Sequence, residues 1–218
     1  MHVPVISRKE FWLTQIALYV AILLQISTWI TSGSLDYGPH PVIIVSEVAM
    51  ATLLGLSARR PVLRTRPIYH TLSFLFLGLI SIENITSIIV ILQLLVTSND
   101  IVTGYNLLAS ALAIFLTNII VFALWYWEID SPGLSGRRWS KHDKDFQFTQ
   151  QDMARDFPNW RPSFADYLYL SLTNAINFAP ADTKPLTSQA KALMGVQSLV
   201  SVITLALVVA RSVSILGQ

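Results

Sequence analysis

Five stretches of this chain run apolar over long distances, and polar segments separate them: Phe11 to Ile30, Pro41 to Ala58, Thr71 to Val96, Tyr105 to Trp127, and Ala190 to Leu216. A helix needs about 20 mostly apolar residues to cross a hydrocarbon core. The pattern therefore predicts five transmembrane helices, the second short but adequate and the third long enough to tilt. Arg8 and Lys9 before the first run resemble the start of a secretory leader. That run is too long for a leader, and no small-x-small site follows it cleanly, so it is read as an uncleaved span. A further helix, short and amphipathic, is expected from about Pro162 to Asn177, directly before the last span. Ser163 suits its N-cap, Asp166 its first turn, and Pro180 ends it. The expected fold class is all-α: five transmembrane helices plus a short pore-like re-entrant helix. Residues 1–104 form a three-span region. Residues 105–218 form a unit of span, polar linker, short helix, turn and span.

Composition agrees with the bilayer as solvent: 53% of the 218 residues are hydrophobic and 13% are charged. The absence of cysteine excludes disulfides and thiolate metal sites. The formal net charge of +2 matters less than its placement. Of the 15 lysines and arginines, all but Arg211 fall at the N-terminus, in the second and fourth linkers, or around Lys184 and Lys191. The linkers Thr31–His40 and Thr97–Gly104 contain none. The positive-inside rule places the basic side in the cytoplasm, with the N-terminus inside a multi-pass protein of the cell's inner (plasma) membrane. Tyrosines and tryptophans near span ends, Trp29, Tyr37, Tyr69, Tyr105, Trp125, Tyr126 and Trp127, match an aromatic belt. Cysteines placed singly at Ser135 and Ser34 test the orientation. An impermeant thiol reagent applied to intact cells should label Ser34→Cys and spare Ser135→Cys; the reverse would invert the topology.

Ile129–Ala165 also carries five aspartates among its bases, so it is a mixed-charge solvated segment rather than a nucleic-acid patch. Phe146, Phe148, Phe157 and Trp160 stud it and are expected to pack locally.

The stretch from Ser171 to Thr187 reads SLTNAINFAPADTKPLT. With the spans on either side, it resembles the span, pore helix, filter and span of tetrameric potassium-type cation channels, whose pore stretch runs S-L-x-T-x-T-T-V-G-Y/F-G-D-x-x-P-x-T. Ser171, Leu172, Asp182, Pro185 and Thr187 match without a gap. The resemblance covers about half of the chain, and what it implies is an oligomeric pore, a tetramer in that family. It implies pore- or filter-like positions at Thr173, Asn174, Asn177, Phe178, Ala179, Pro180, Ala181 and Asp182. The filter glycines fall on Ala179 and Ala181, the aromatic on Pro180, and the Thr-Val pair on Asn177-Phe178. A filter that points successive carbonyls at an ion needs backbone angles that glycine tolerates and alanine resists, and Pro180 fixes φ near −65°. A potassium-type carbonyl ladder is therefore not expected. Channel topology would place this turn outside the cell, whereas the charge distribution places it inside; the charge asymmetry is nearly total and is followed here. The chain resembles more closely a group of uncharacterised bacterial five-span proteins, through Asn84, the run LTNIIVFALWYWEID from Leu116 to Asp130, and the DYLYLSLT entry to the short helix. No activity comes with that resemblance.

Several polar residues lie inside the spans. Glu47 and Glu83, the latter beside Asn84, are carboxylates in apolar runs. An ionised acid at mid-bilayer costs at least ~2.5–3.5 kcal/mol on insertion scales. Such groups face a partner, a cavity or a pathway; Arg211 is the base available within a span. Asn118 reads as an interhelical hydrogen-bonding residue. Ser198, Ser201 and Thr204 read as close-packing positions. The four histidines are scattered without metal spacing, and no phosphate loop or nucleophile elbow occurs. The sequence thus points to no enzyme, no cofactor, no metal centre and no nucleic-acid partner. The expected partners are the lipid bilayer, further copies of the chain, and inorganic cations. The expected function is an oligomeric channel or pore-like protein, cation-preferring at most and not potassium-selective. The alternatives are a proton-coupled secondary transporter using Glu83 and Glu47, or a non-conducting membrane protein with a channel-derived fold.

Overall fold

The computed structural model describes residues 8–31, 40–57, 67–96, 104–130, 144–158, 160–177 and 182–216. Within them the chain is mostly helical: α1 (Arg8–Thr31), α2 (His40–Ser57), α3 (Pro67–Val96), α4 (Gly104–Asp130), α5 (Thr149–Asp152), α6 (Phe164–Asn177) and α7 (Ser188–Leu216). Each of the five apolar runs has become one helix. Pro67 opens α3 and Pro41 is the second residue of α2. At a helix start the missing proline N–H has no partner to lose. Among the described residues, four stretches are long and apolar enough to cross a membrane: Lys9–Thr31, Thr71–Gln93, Tyr105–Asp130 and Ser188–Ala210. Pro41–Leu56 is a shorter apolar helix. The chain thus has the make-up of a multi-pass membrane protein.

α4 is the axis of the fold. It packs against α1, α3, α6 and α7 and is the most buried of the four long helices, while α7 is the least. Phe122, Ala123, Leu124, Tyr126 and Trp127 of α4 join Leu18, Leu54, Phe76 and Leu77 in the main core. Hydrogen bonds clasp the apolar faces together. Ser73 donates to Glu128 Oε1 (2.8 Å), the Trp125 indole to Ser81 Oγ (2.9 Å), and Thr31 and Ser110 share a 2.5 Å contact. Such clasps matter in lipid, where apolar surface alone gives helices little reason to associate. At Gly55 a Cβ would meet Gln15 Oε1 at 2.8 Å, so the glycine permits the close approach of α1 and α2.

The expectation of an all-α chain needs one correction. Phe146–Phe148 (β1) pairs antiparallel with Thr183–Pro185 (β2), in the register Phe146↔Pro185, Gln147↔Lys184, Phe148↔Thr183. Strand alternation turns both phenylalanines to one face, where they are buried against Tyr126 (5.1 Å between ring centroids from Phe146), Tyr167 (5.3 Å from Phe148) and Trp160 (5.5 Å from Phe148). Phe146, Phe148 and Trp160 thus pack locally as expected, whereas Phe157 is exposed. The sheet ties the chain just after α4 to the chain just before α7.

Candidate functional site

The candidate site is the unit of α4, α6 and α7, and the position of α6 defines it. α6 begins two residues later than expected, at Phe164. Asp166 accepts hydrogen bonds from both the N–H and the hydroxyl of Ser163 (2.7 Å each), closing the first turn. The helix then runs antiparallel along α4. Phe164 meets Trp127 (5.4 Å between rings), Ser171 Oγ donates to the Ile119 carbonyl (2.6 Å), and Ala175 packs on Phe115 and Ile119. Phe115 and Ile119 lie at the middle of the Tyr105–Asp130 span. α6 therefore starts level with one end of α4 and stops about halfway along it.

Its inward face is polar and saturated. Asn174 donates to Gln197 Oε1 (2.8 Å), to the Met194 carbonyl (3.0 Å) and to the Tyr126 hydroxyl (3.3 Å). The Tyr126 hydroxyl in turn donates to Gln197 Oε1 (2.5 Å). Gln197 Nε2 donates to Ser171 Oγ (2.6 Å) and to the Ser171 carbonyl (3.0 Å). Ser171, Asn174, Tyr126 and Gln197 are all buried. One turn deeper along α7, Asn118 donates to Ser201 Oγ (3.0 Å). Ser201 and Thr204 are buried packing residues, as their sequence positions suggested.

A second polar knot anchors the start of α6. Asp130 Oδ1 accepts the backbone N–H groups of Asp145 (2.6 Å) and Phe146 (3.1 Å), and Oδ2 accepts the Tyr167 hydroxyl (2.6 Å). Asp145 extends the knot: its carboxylate accepts the Thr187 hydroxyl, and its carbonyl accepts the Leu186 N–H (2.8 Å).

The pore-like positions separate. Asn174, expected among the lining residues, instead faces the interior between α4 and α7 at 1% exposure, because three acceptors hold it there. Thr173 turns its hydroxyl back onto the Tyr169 (2.9 Å) and Leu170 (3.0 Å) carbonyls. Asn177 is exposed at the helix end. Phe178, Ala179, Pro180 and Ala181 lie outside the described residues. At Asp182 the carbonyl accepts from Thr149 N–H (3.2 Å) and Oγ1 (2.7 Å), and the carboxylate accepts from the Tyr169 hydroxyl (3.2 Å). Asp182 thus sits beside Tyr169, two turns back along α6 from Asn177. The outward face of α6 carries Tyr169, Leu172 and Ile176, and α7 exposes Val196, Leu199, Val202 and Val209.

Of the other intramembrane residues, Glu47, Glu83, Asn84 and Asn118 are all buried; Arg211 falls on α7, but its side chain lies outside the described set. Gln197 and Asp130, both central to the site, were not singled out from the sequence, and Tyr126 was read as an aromatic-belt residue but is buried in the interior network. Gln197 had a usable signal, since an amide within an apolar run needs partners. Asp130 resembled the other linker acids. Among the described residues, no group of three or more His, Cys, Asp or Glu is placed to hold a metal ion. No protein-family model, curated protein or solved structure matches the chain.

Proposed function

We propose that the chain assembles into a homo-oligomeric membrane pore that prefers cations to anions and does not select potassium. In this reading α1, α2, α3, α4 and α7 cross the bilayer, and α6 enters from the basic, cytoplasmic side and ends inside. α2, at 18 residues, is about 27 Å long, so it spans by standing nearly upright with slight local thinning of the bilayer.

The observation that supports this reading is where α6 stops. Its last four carbonyls have no intrahelical donor, and they lie at the depth of Phe115 and Ile119, with Ile176 and Asn177 exposed. Unpaired backbone groups in hydrocarbon cost several kcal/mol each, so such an end persists only against protein or lining water. Among the described residues nothing covers this end on the side of Leu172 and Ile176, which are exposed. Further copies placed around that face would enclose it and form a water-filled axis. Asn177 would supply a neutral polar ring and Asp182 an acidic one near the mouth. An acidic ring attracts cations without ranking the monovalent ones strongly.

The chain lacks cysteine, so one introduced thiol reports on one position. Ile176→Cys should form disulfide-linked dimers under mild oxidation in the membrane. Ile16→Cys, equally exposed but on α1, should not. Purified protein in planar bilayers under potassium and sodium gradients should then show cation over anion preference with little discrimination between the two cations, and Asp182→Asn should weaken that preference. A reversal potential at the potassium limit would refute the selectivity argument. Monomers silent in all salts would refute the pore.

A further inference from the structure

We propose that Glu47 of α2, with Gln25 of α1 and Glu83 of α3, forms a binding site for one monovalent cation inside the N-terminal three-helix packet. α1, α2 and α3 all pack on one another. Where they meet, Glu47 is fully buried and neither of its carboxylate oxygens has a hydrogen-bond partner. Gln25 is 5% exposed; its Nε2 donates to the Ile80 carbonyl (3.4 Å), and its Oε1 also lacks a donor. The Gln25 amide lies next to the Glu47 carboxylate, and the Glu83 carboxylate, 4% exposed, is near enough to act on it electrostatically. Glu83 has interactions of its own, so the unmet oxygens are those of Glu47 and Gln25.

A buried carboxylate without donors is among the costliest arrangements in a protein interior, and a second acid nearby adds repulsion. Elsewhere on α1–α4 the unmet buried atoms are neutral, the Thr117 hydroxyl and the Asn118 amide oxygen, whereas Glu47 is an acid with both oxygens unmet. The Gln25 amide beside Glu47 donates to the Ile80 carbonyl and meets neither carboxylate oxygen within bonding geometry, so a positive charge from solution would complete the set. The available ligands are hard oxygens, which excludes metals that favour thiolate or imidazole. Calcium and magnesium carry two charges, whereas the unmet oxygens belong to one carboxylate and one neutral amide, which a single positive charge balances. A proton on Glu47, or a dehydrated sodium ion shared by Glu47 and Gln25, satisfies the same atoms by the same chemistry. The site lies on α1–α3 and does not depend on the pore reading, which rests on α6.

The full chain in lipid nanodiscs provides the test, with sodium exchanged for choline from mildly acidic to mildly alkaline pH. The sodium source predicts that the unfolding midpoint rises with sodium at alkaline pH. Each tenfold increase above the Kd should add about 3–6 °C for a chain of this size. The proton source predicts a rise on acidification in choline alone. Infrared difference spectra, parent minus Glu47→Gln, separate the two: a protonated-carboxyl band that shifts in D2O marks a proton, and carboxylate bands that move with sodium mark the metal. Glu47→Gln carries its own N–H donors and should abolish both responses while keeping the fold. Glu47→Asp, which keeps the acid, should retain a weakened response if the glutamine variant proves unstable. Indifference of the parent to both ions, or a Glu47→Gln variant that responds like the parent, would overturn the site.

Discussion

Asp130→Leu is expected to lower the stability of the folded chain by about 3–5 kcal/mol. The carboxylate accepts two backbone N–H groups, from Asp145 and Phe146, and the Tyr167 hydroxyl. It is buried at 3% exposure at the end of α4. Leucine fills the volume but accepts nothing, and each buried donor left unpaired costs about 1–3 kcal/mol. The three donors belong to three places that must stay together: the segment entering β1, β1 itself, and α6. The variant should therefore release the β1–β2 sheet from α4 as well as lower the unfolding midpoint. Asp130→Asn keeps one carbonyl oxygen and should lose less. Thermal unfolding in detergent, with limited proteolysis between α4 and β1, measures both effects. A leucine variant as stable and protease-resistant as the parent would show that the knot contributes nothing.

Gln197→Leu is expected to cost about 2–3 kcal/mol and to loosen α6 specifically. Gln197 uses all its hydrogen-bonding capacity, accepting from Tyr126 and Asn174 and donating twice to Ser171. Its loss strands the Tyr126 hydroxyl. Asn174 retains the Met194 carbonyl, and Ser171 retains that of Ile119. Single interhelical hydrogen bonds in membrane proteins average only ~0.6 kcal/mol. The larger figure arises because one substitution removes four bonds and orphans a buried donor. Hydrogen exchange should quicken in α6 while α1 to α3 change little. Uniform loss of protection across all helices would mean that Gln197 supports the whole fold rather than the seat of α6.

Much of this architecture was legible along the chain because it depends on local sums. Five apolar runs of sufficient length became five helices, since transfer of apolar surface from water adds up residue by residue and needs no knowledge of neighbours. The amphipathic pattern around Tyr167 and the Ser163–Asp166 pair placed the short helix within two residues of its start. Ionisable and amide residues inside apolar runs announced themselves by cost, and Glu47, Glu83, Asn84 and Asn118 are all buried.

What only the tertiary structure decided is pairing. Phe146–Phe148 and Thr183–Pro185 are three residues each, too short for alternation to stand out, and their partnership spans the intervening α6. Asp130 could not be told from its neighbouring acids, because the donors that bury it come from 15 to 37 positions away. Asn174 was expected to face a pore and faces the protein, because Tyr126, Met194 and Gln197 happen to meet it there. Glu47 and Glu83 both read as costly acids in apolar runs, and only the packing shows that the two oxygens of Glu47 find no donor. Apolar length is a property of a segment, but hydrogen-bond satisfaction is a property of a place, and a place exists only once segments far apart in sequence have packed around it.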